Sequence, residues 1–438
     1  MSRRTNPMGW GLAVLRRLAA LPLLDDAARR ARFGRFLFGA SKAGFAAAGM
    51  ANRPFRAARK LLQPARPAAA PAGELFDLTP TDEQRMVVES MRDFAANALR
   101  PAAAAADEAA ACPPELRAQA AGLGIAAMNA PEELGGVAAE RPVLTNALAF
   151  EALAHGDLGL AAAILSAPSV ASALVEYGDA AQQAKYVPAL TGDQPPQAAI
   201  AVLEPQPLFD PFALRTRVEK TAEGWTLHGE KQLVIGAAAA ELFLVAAADE
   251  SGAPALYIVE SGTAGITVEA QPAMGLRAAS LARVRFDGVA LPADARLGGS
   301  AGMDYAEFIA RSRLAWCALA AGTTQAVLDY VIPYANEREA FGEPISHKQG
   351  VAFMIANIGI ELEGMRLATW RAAALAAEGK PFAREAALAR SLCTRFAMQA
   401  GSDGVQVLGG HGFVKEHPVE RWYRDLRAIG IMEGGLLL

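Results

Sequence analysis

Apolar positions change rhythm along this chain, and each rhythm predicts a different kind of element. Within the first 62 residues Leu12, Leu15, Leu18 and Ala19, then Phe33, Phe36, Leu37 and Ala40, recur at three- and four-residue spacing with arginines between them. That period places the apolar side chains on one face of basic amphipathic helices. Residues 63–73, rich in proline and alanine, read as a linker. Beyond it Thr79-Pro80-Thr81-Asp82 supplies a helix start, with Pro80 expected at the first helical position, and Val87, Met91 and Phe94 fall on one face. Helical spacing then holds to about residue 197, broken at Gly122, Gly124 and the turn from Pro131 to Gly136.

From about residue 198 the period shortens. Runs at 225–231, 242–246, 256–259, 266–268 and 283–286 are β-prone and separated by Gly, Asp and Pro. After Gly302 long helical segments return near 304–336, 349–378 and 382–408, lengths that predict a helix bundle. The reading is an α+β chain in four parts: a basic arm and linker over 1–74, a helical domain over 75–197, a β domain over 198–302 and a helical bundle over 303–438.

Charge sharpens this picture. The first 66 residues carry fourteen arginines and lysines against Asp25 and Asp26, a charge of +12 that leaves −16 on the rest of a chain whose net charge is −4. Nucleic acid is therefore not an expected partner, since phosphate neutralisation needs positive charge concentrated on the folded domains. No apolar run in the arm approaches the roughly 18 residues of a spanning helix. Two readings of the arm stay open: residues 1–62 contact an anionic membrane surface or a partner helix, or they pack on the chain's own acidic domains. An Arg-rich, serine-poor transit peptide is a third. Cys112, Cys317 and Cys393 fit no metal spacing, and an odd count leaves one unpaired, which suits a reducing, cytoplasmic location, peripheral at the inner membrane face if the arm binds lipid. His155, His228, His347, His411 and His417 show no ligand pairing, so no metal is expected and any cofactor should be organic.

Four stretches carry a family resemblance. They are LTPTDEQRMVVESMRDFAANALRP at 78–101, APEELGG at 130–136, VRFDGVALPADARLG at 284–298, and NEREAFGEPISHKQG at 336–350 with QVLGGHGFVKEHPVERWYRDLRAIGIMEGG at 406–435. In this order they resemble the acyl-CoA dehydrogenases. The resemblance implies an N-terminal helical domain, a central β domain and a C-terminal four-helix bundle that forms homodimers or homotetramers. It implies FAD, an acyl-CoA substrate desaturated to the 2-enoyl thioester, and an electron-transfer flavoprotein or similar acceptor. Residue by residue, Glu433 matches the catalytic base and Arg313 the arginine at the acyl-CoA entrance. Arg338 and Phe341, with Gln349 nearby, match residues that reach the FAD of a neighbouring subunit, and Gln406, Gly409 and Gly410 match the turn that receives its adenosine and pyrophosphate end. Ser312 stands where some branches carry the base on an earlier helix; serine cannot serve, and Glu307 lies more than a helical turn away. The run Arg424-Asp425-Leu426-Arg427 reads as structural pairing.

The departures from the family pattern cluster. Where T-E-P-x-x-G-S-D is common, this chain has Leu203-Glu204-Pro205 through Phe209-Asp210; where W-x-T faces the flavin ring, it has Leu233-Val234-Ile235; and E-G-T becomes Glu433-Gly434-Gly435, with Leu438 soon after where relatives continue through a further helix. Hydroxyls expected against the ring are thus apolar or absent. Two alternatives follow from these losses: a non-catalytic acyl-binding or scaffold subunit, and a desaturase acting on a carrier-protein thioester.

Overall fold

A computed structural model describes residues 78–138 and 141–438. The chain divides into two units, Met1–Phe76 and Asp77–Leu438, and the second is the one described; the basic arm and the linker lie outside the described residues. Helix α1 (Asp82–Phe94) starts at Thr81, whose side chain accepts from the Gln84 amide while the Gln84 side chain accepts from the Thr81 amide. This reciprocal cap places the start two residues later than expected, with Pro80 just before it and Asp82, not proline, opening the helix. A π-turn over Ala95–Leu99 leads into α2 (Arg100–Ala109), followed by α3 (Pro114–Ala121), α4 (Val143–Gly156), α5 (Leu158–Tyr177) and α6 (Ala180–Thr191).

Helix α5 is apolar on all sides and almost wholly buried. It is long and apolar enough to cross a bilayer, but here it forms the core on which the other layers rest. Asp157 caps it, accepting from the Leu160 amide at 3.0 Å, and its second oxygen takes Arg421 at 2.9 Å. One buried carboxylate thus ties the N-terminal helices to the end of the chain.

The sheet contains β1 (Ala198–Ala201), β2 (Arg217–Lys220), β3 (Gly224–Val234), β4 (Leu242–Ala248), β5 (Pro254–Glu260), β6 (Ile266–Ala270) and β7 (Ala282–Pro292), in the order β1-β4-β2-β3-β7-β6 with β5 on β4. β1 and β2 escaped the periodicity reading because each is only four residues long, and β1 reads Ala-Ala-Ile-Ala. β3 pairs antiparallel with β7 through two register shifts, the second between Lys231 and Val234. There Leu233 adopts φ 51°, a left-handed conformation costing a side-chain-bearing residue roughly 1–2 kcal/mol.

Three long helices, α7 (Tyr305–Glu337), α8 (Gln349–Ala377) and α9 (Ala383–Leu408), with the shorter α10 (Val419–Ala428), form the C-terminal bundle. Their limits lie within one residue of the three expected helical segments. Between α7 and α8 a small hairpin of β8 (Glu339–Ala340) and β9 (Glu343–Pro344) turns the chain. The bundle packs tightly against α4: a Cβ on Gly322 would lie 2.0 Å from the Glu151 carbonyl oxygen.

Candidate active site

Helix α7 borders two separate groups of the site residues expected from the sequence. Near its start Arg313 donates Nε to Glu433 Oε1 at 2.5 Å. From α9, Arg390 lies 3.9 Å from Glu433 Oε2 and also donates to the Met432 carbonyl oxygen at 2.5 Å. Glu433 is therefore no free surface carboxylate: its side chain keeps 12% exposure and is held between guanidinium groups from two helices. Glu307, the other acid considered, faces Arg141 at 3.6 Å.

Beyond Glu433 the chain turns into the slot between the sheet and α7. Gly434 has φ 72° and Gly435 φ 81°, which glycine adopts without steric cost. A Cβ on Gly434 would meet Val202 at 2.3 Å, and one on Gly435 would meet Ile235 at 3.3 Å. Trp316 Nε1 donates to the Gly434 carbonyl oxygen at 2.8 Å. Leu436, Leu437 and Leu438 are completely buried. Leu203 and Ile235, two of the departures from the family pattern, are buried as well.

The polar anchoring of the slot lies beneath it. Glu204 accepts from the amides of Arg215 and Thr216 and from Lys231 Nζ, the last at 2.8 Å. Lys231 also donates to the Val202 carbonyl oxygen at 3.0 Å. Burial pushes the Lys231 ammonium down to about 8 against the pull of Glu204. Burial favours the neutral form of Glu204, but Lys231 and the two amides outweigh it and hold the carboxyl below its usual range. This buried pair fixes the loop after β1.

The second group lies at the far end of α7. Arg338 follows the helix, Phe341 is 97% exposed with φ 58°, and Gln349 opens α8. Gln406, Gly409 and Gly410 close α9 at the same end, where Tyr334 donates to the Leu408 carbonyl oxygen at 3.4 Å and bonds His411 Nδ1 at 2.7 Å. All six are solvent-exposed. Twenty-five residues of continuous helix separate Arg313 from Arg338, about 37 Å at the helical rise. The expected site residues thus assemble as two clusters.

Comparison with known proteins gives the family. Residues 81–193, 199–289 and 301–435 match, in turn, the N-terminal, middle and C-terminal domains of acyl-CoA dehydrogenase. The chain belongs to the acyl-CoA dehydrogenase family. It is 31% identical over 364 residues to the human short-chain specific acyl-CoA dehydrogenase of mitochondria, covering 81% of this chain and 87% of that protein. The butyryl-CoA dehydrogenase of Megasphaera elsdenii superposes with a TM-score of 0.75 at 29% identity, over 82% of this chain and 96% of that one. The FAD complex of PigA does so with a TM-score of 0.76 at 25% identity, over the same shares.

Within this acyl-CoA dehydrogenase fold, three residues beside the site had escaped sequence reasoning. Arg390 comes from a helix 43 positions before Glu433, with no local motif to mark it. Arg311 was masked by its neighbour Arg313, although it is the more buried of the two. Trp316 did carry a signal, a lone large aromatic in the run Leu-Ala-Trp-Cys-Ala-Leu-Ala-Ala-Gly.

Proposed function

We propose that this acyl-CoA dehydrogenase uses FAD to desaturate an acyl-CoA thioester to its 2-enoyl form and passes the electrons to an external acceptor of the electron-transfer flavoprotein type. The observation that carries the reading is the Glu433 carboxylate at the edge of an apolar slot, paired to Arg313. An α proton of a thioester is weakly acidic, so its removal needs a fixed base largely shielded from water. Glu433 takes that proton on Oε1 once the Arg313 contact parts, and the guanidinium is then free for the anionic CoA end. FAD, when bound, supplies the hydride acceptor that no side chain provides.

The residues fit FAD at its adenosine end. Arg338, Phe341, Gln349 and Gln406 stand exposed around the Gly409-Gly410 turn, where neither glycine has a neighbour within 4 Å of a would-be Cβ. Their distance from Glu433 supports a cofactor shared between two copies of the chain, one contributing the base and the other the adenosine grip. At the ring end Leu203 and Ile235 offer apolar contact without a side-chain donor, and residues 435–438 fill the slot. That filling is also what favours the non-catalytic scaffold alternative.

Anaerobic titration of the FAD-loaded protein with a chain-length series of acyl-CoA thioesters separates the two. Bleaching of the flavin absorbance by one class is the expected result, and a Glu433→Gln variant should slow it by about 10²- to 10⁴-fold while retaining FAD. No bleaching by any thioester would favour the scaffold; unchanged bleaching in the variant would remove Glu433 as the base.

A further inference from the structure

The slot beside Glu433 is filled by the residues that follow it. The backbone of Gly434 and Gly435 passes between Val202 and Ile235 on the sheet side and Trp316 on α7, and three leucines continue inward with no exposure. Side chains grip the main chain of this segment as well as burying its leucines. Trp316 donates to the Gly434 carbonyl oxygen, Ser169 of α5 to that of Leu437 at 3.5 Å, and Arg311 Nε to that of Leu438 at 3.0 Å. Arg311 is itself steadied by Glu176 at 3.0 Å.

Two features mark this occupant as replaceable. On the same face of α7, Ser312 lies one turn and Tyr305 three turns before Trp316, and their buried hydroxyls have no hydrogen-bond partner among the described residues. Leucine side chains cannot satisfy them, whereas a ligand carrying carbonyl or hydroxyl groups can. Consecutive glycines at positive φ also provide a pivot at the base of the segment.

We propose that residues 435–438 are an intramolecular plug that holds the place of the acyl thioester and the flavin ring and is expelled when they bind. This rests on the dehydrogenase reading for the identity of the ligands. The plug and the ligands compete for one volume, so the apparent dissociation constant for FAD equals the intrinsic one divided by the fraction of molecules with the plug out. The leucines also stand in for substrate: the space they vacate is apolar and suits a saturated acyl group. The isoleucine at 235 then has a reason to be apolar, since it packs against Gly435 at the base of the plug when the slot is closed.

The test uses the full chain and two readouts. In the wild type, amide hydrogen exchange of residues 436–438 should be slow alone and at least tenfold faster with FAD and butyryl-CoA added. In a Leu436→Ser/Leu438→Ser variant, the FAD dissociation constant from flavin fluorescence quenching should fall at least tenfold. Protection of 436–438 that persists in a complex with bound FAD overturns the proposal, as does a folded variant whose plug exchanges rapidly while its FAD affinity is unchanged. If the variant fails to fold, the wild-type exchange decides. FAD that binds with release of the plug but is bleached by no acyl thioester supports the plug and removes the dehydrogenase reading.

Discussion

Asp425 shows how much a single buried carboxylate decides. Completely enclosed, it accepts from the Leu276 amide at 2.6 Å, and burial together with the nearby Asp157 charge pushes it up to about 8. The native state therefore keeps a proton that the unfolded chain, titrating near 4, has released. Its contribution to stability is complete below about pH 4 and is lost as pH rises toward 8. Asp425→Asn keeps the acceptor and removes the charge, so urea unfolding should show a flatter pH dependence between about 4 and 8 and a gain on the order of 1–3 kcal/mol at pH 8. Gly434 is the opposite case, because a Cβ there would overlap Val202 and force a left-handed backbone. Gly434→Ala should cost about 2–4 kcal/mol in the same assay. Glu433 could be singled out as a candidate because it sits inside a long matched motif, and the structural role of 424–427 was legible: Arg424 pairs with Asp107 at 2.9 Å and with Glu420 at 2.8 Å. Arg390 and the buried leucines were not, since partners supplied by another helix leave no mark in local spacing.

At the scale of elements, periodicity located the long helices best, because 26 to 33 residues average over local irregularity. It located helix starts less well, since Thr79 and Thr81 offer equivalent capping hydroxyls and only the Gln84 side chain selects between them. Helix α8 carries a further pattern. Phe353, Ile360 and Leu367 recur every seven residues and are 59%, 67% and 51% exposed, with Leu388 of α9 also exposed. A repeated apolar stripe of this kind is a helix-packing seam. It begins one turn from Gln349, so a second copy of the chain seated there would be continuous with the adenosine-end cluster. Ile360→Glu should lower the oligomer mass measured by light scattering and weaken FAD retention together.

For the molecule as a whole, the fold was readable because several motifs occur in order on the right background of helix and strand. The state of the slot was not: the hydroxyl-to-apolar change at 235 reads equally as a lost cofactor contact or as packing, and only the position of residues 435–438 supplies the second meaning. The separation of the base from the adenosine grip along one 33-residue helix reaches further than cofactor geometry. On the proposed reading, every catalytic centre is the joint product of two translated copies of the gene. A lesion in the base and a lesion in the grip, carried by different copies, fall into different centres whenever the copies pair. One centre in such a hybrid inherits both faults and the other inherits neither, so two defective alleles together retain a function that each lacks alone.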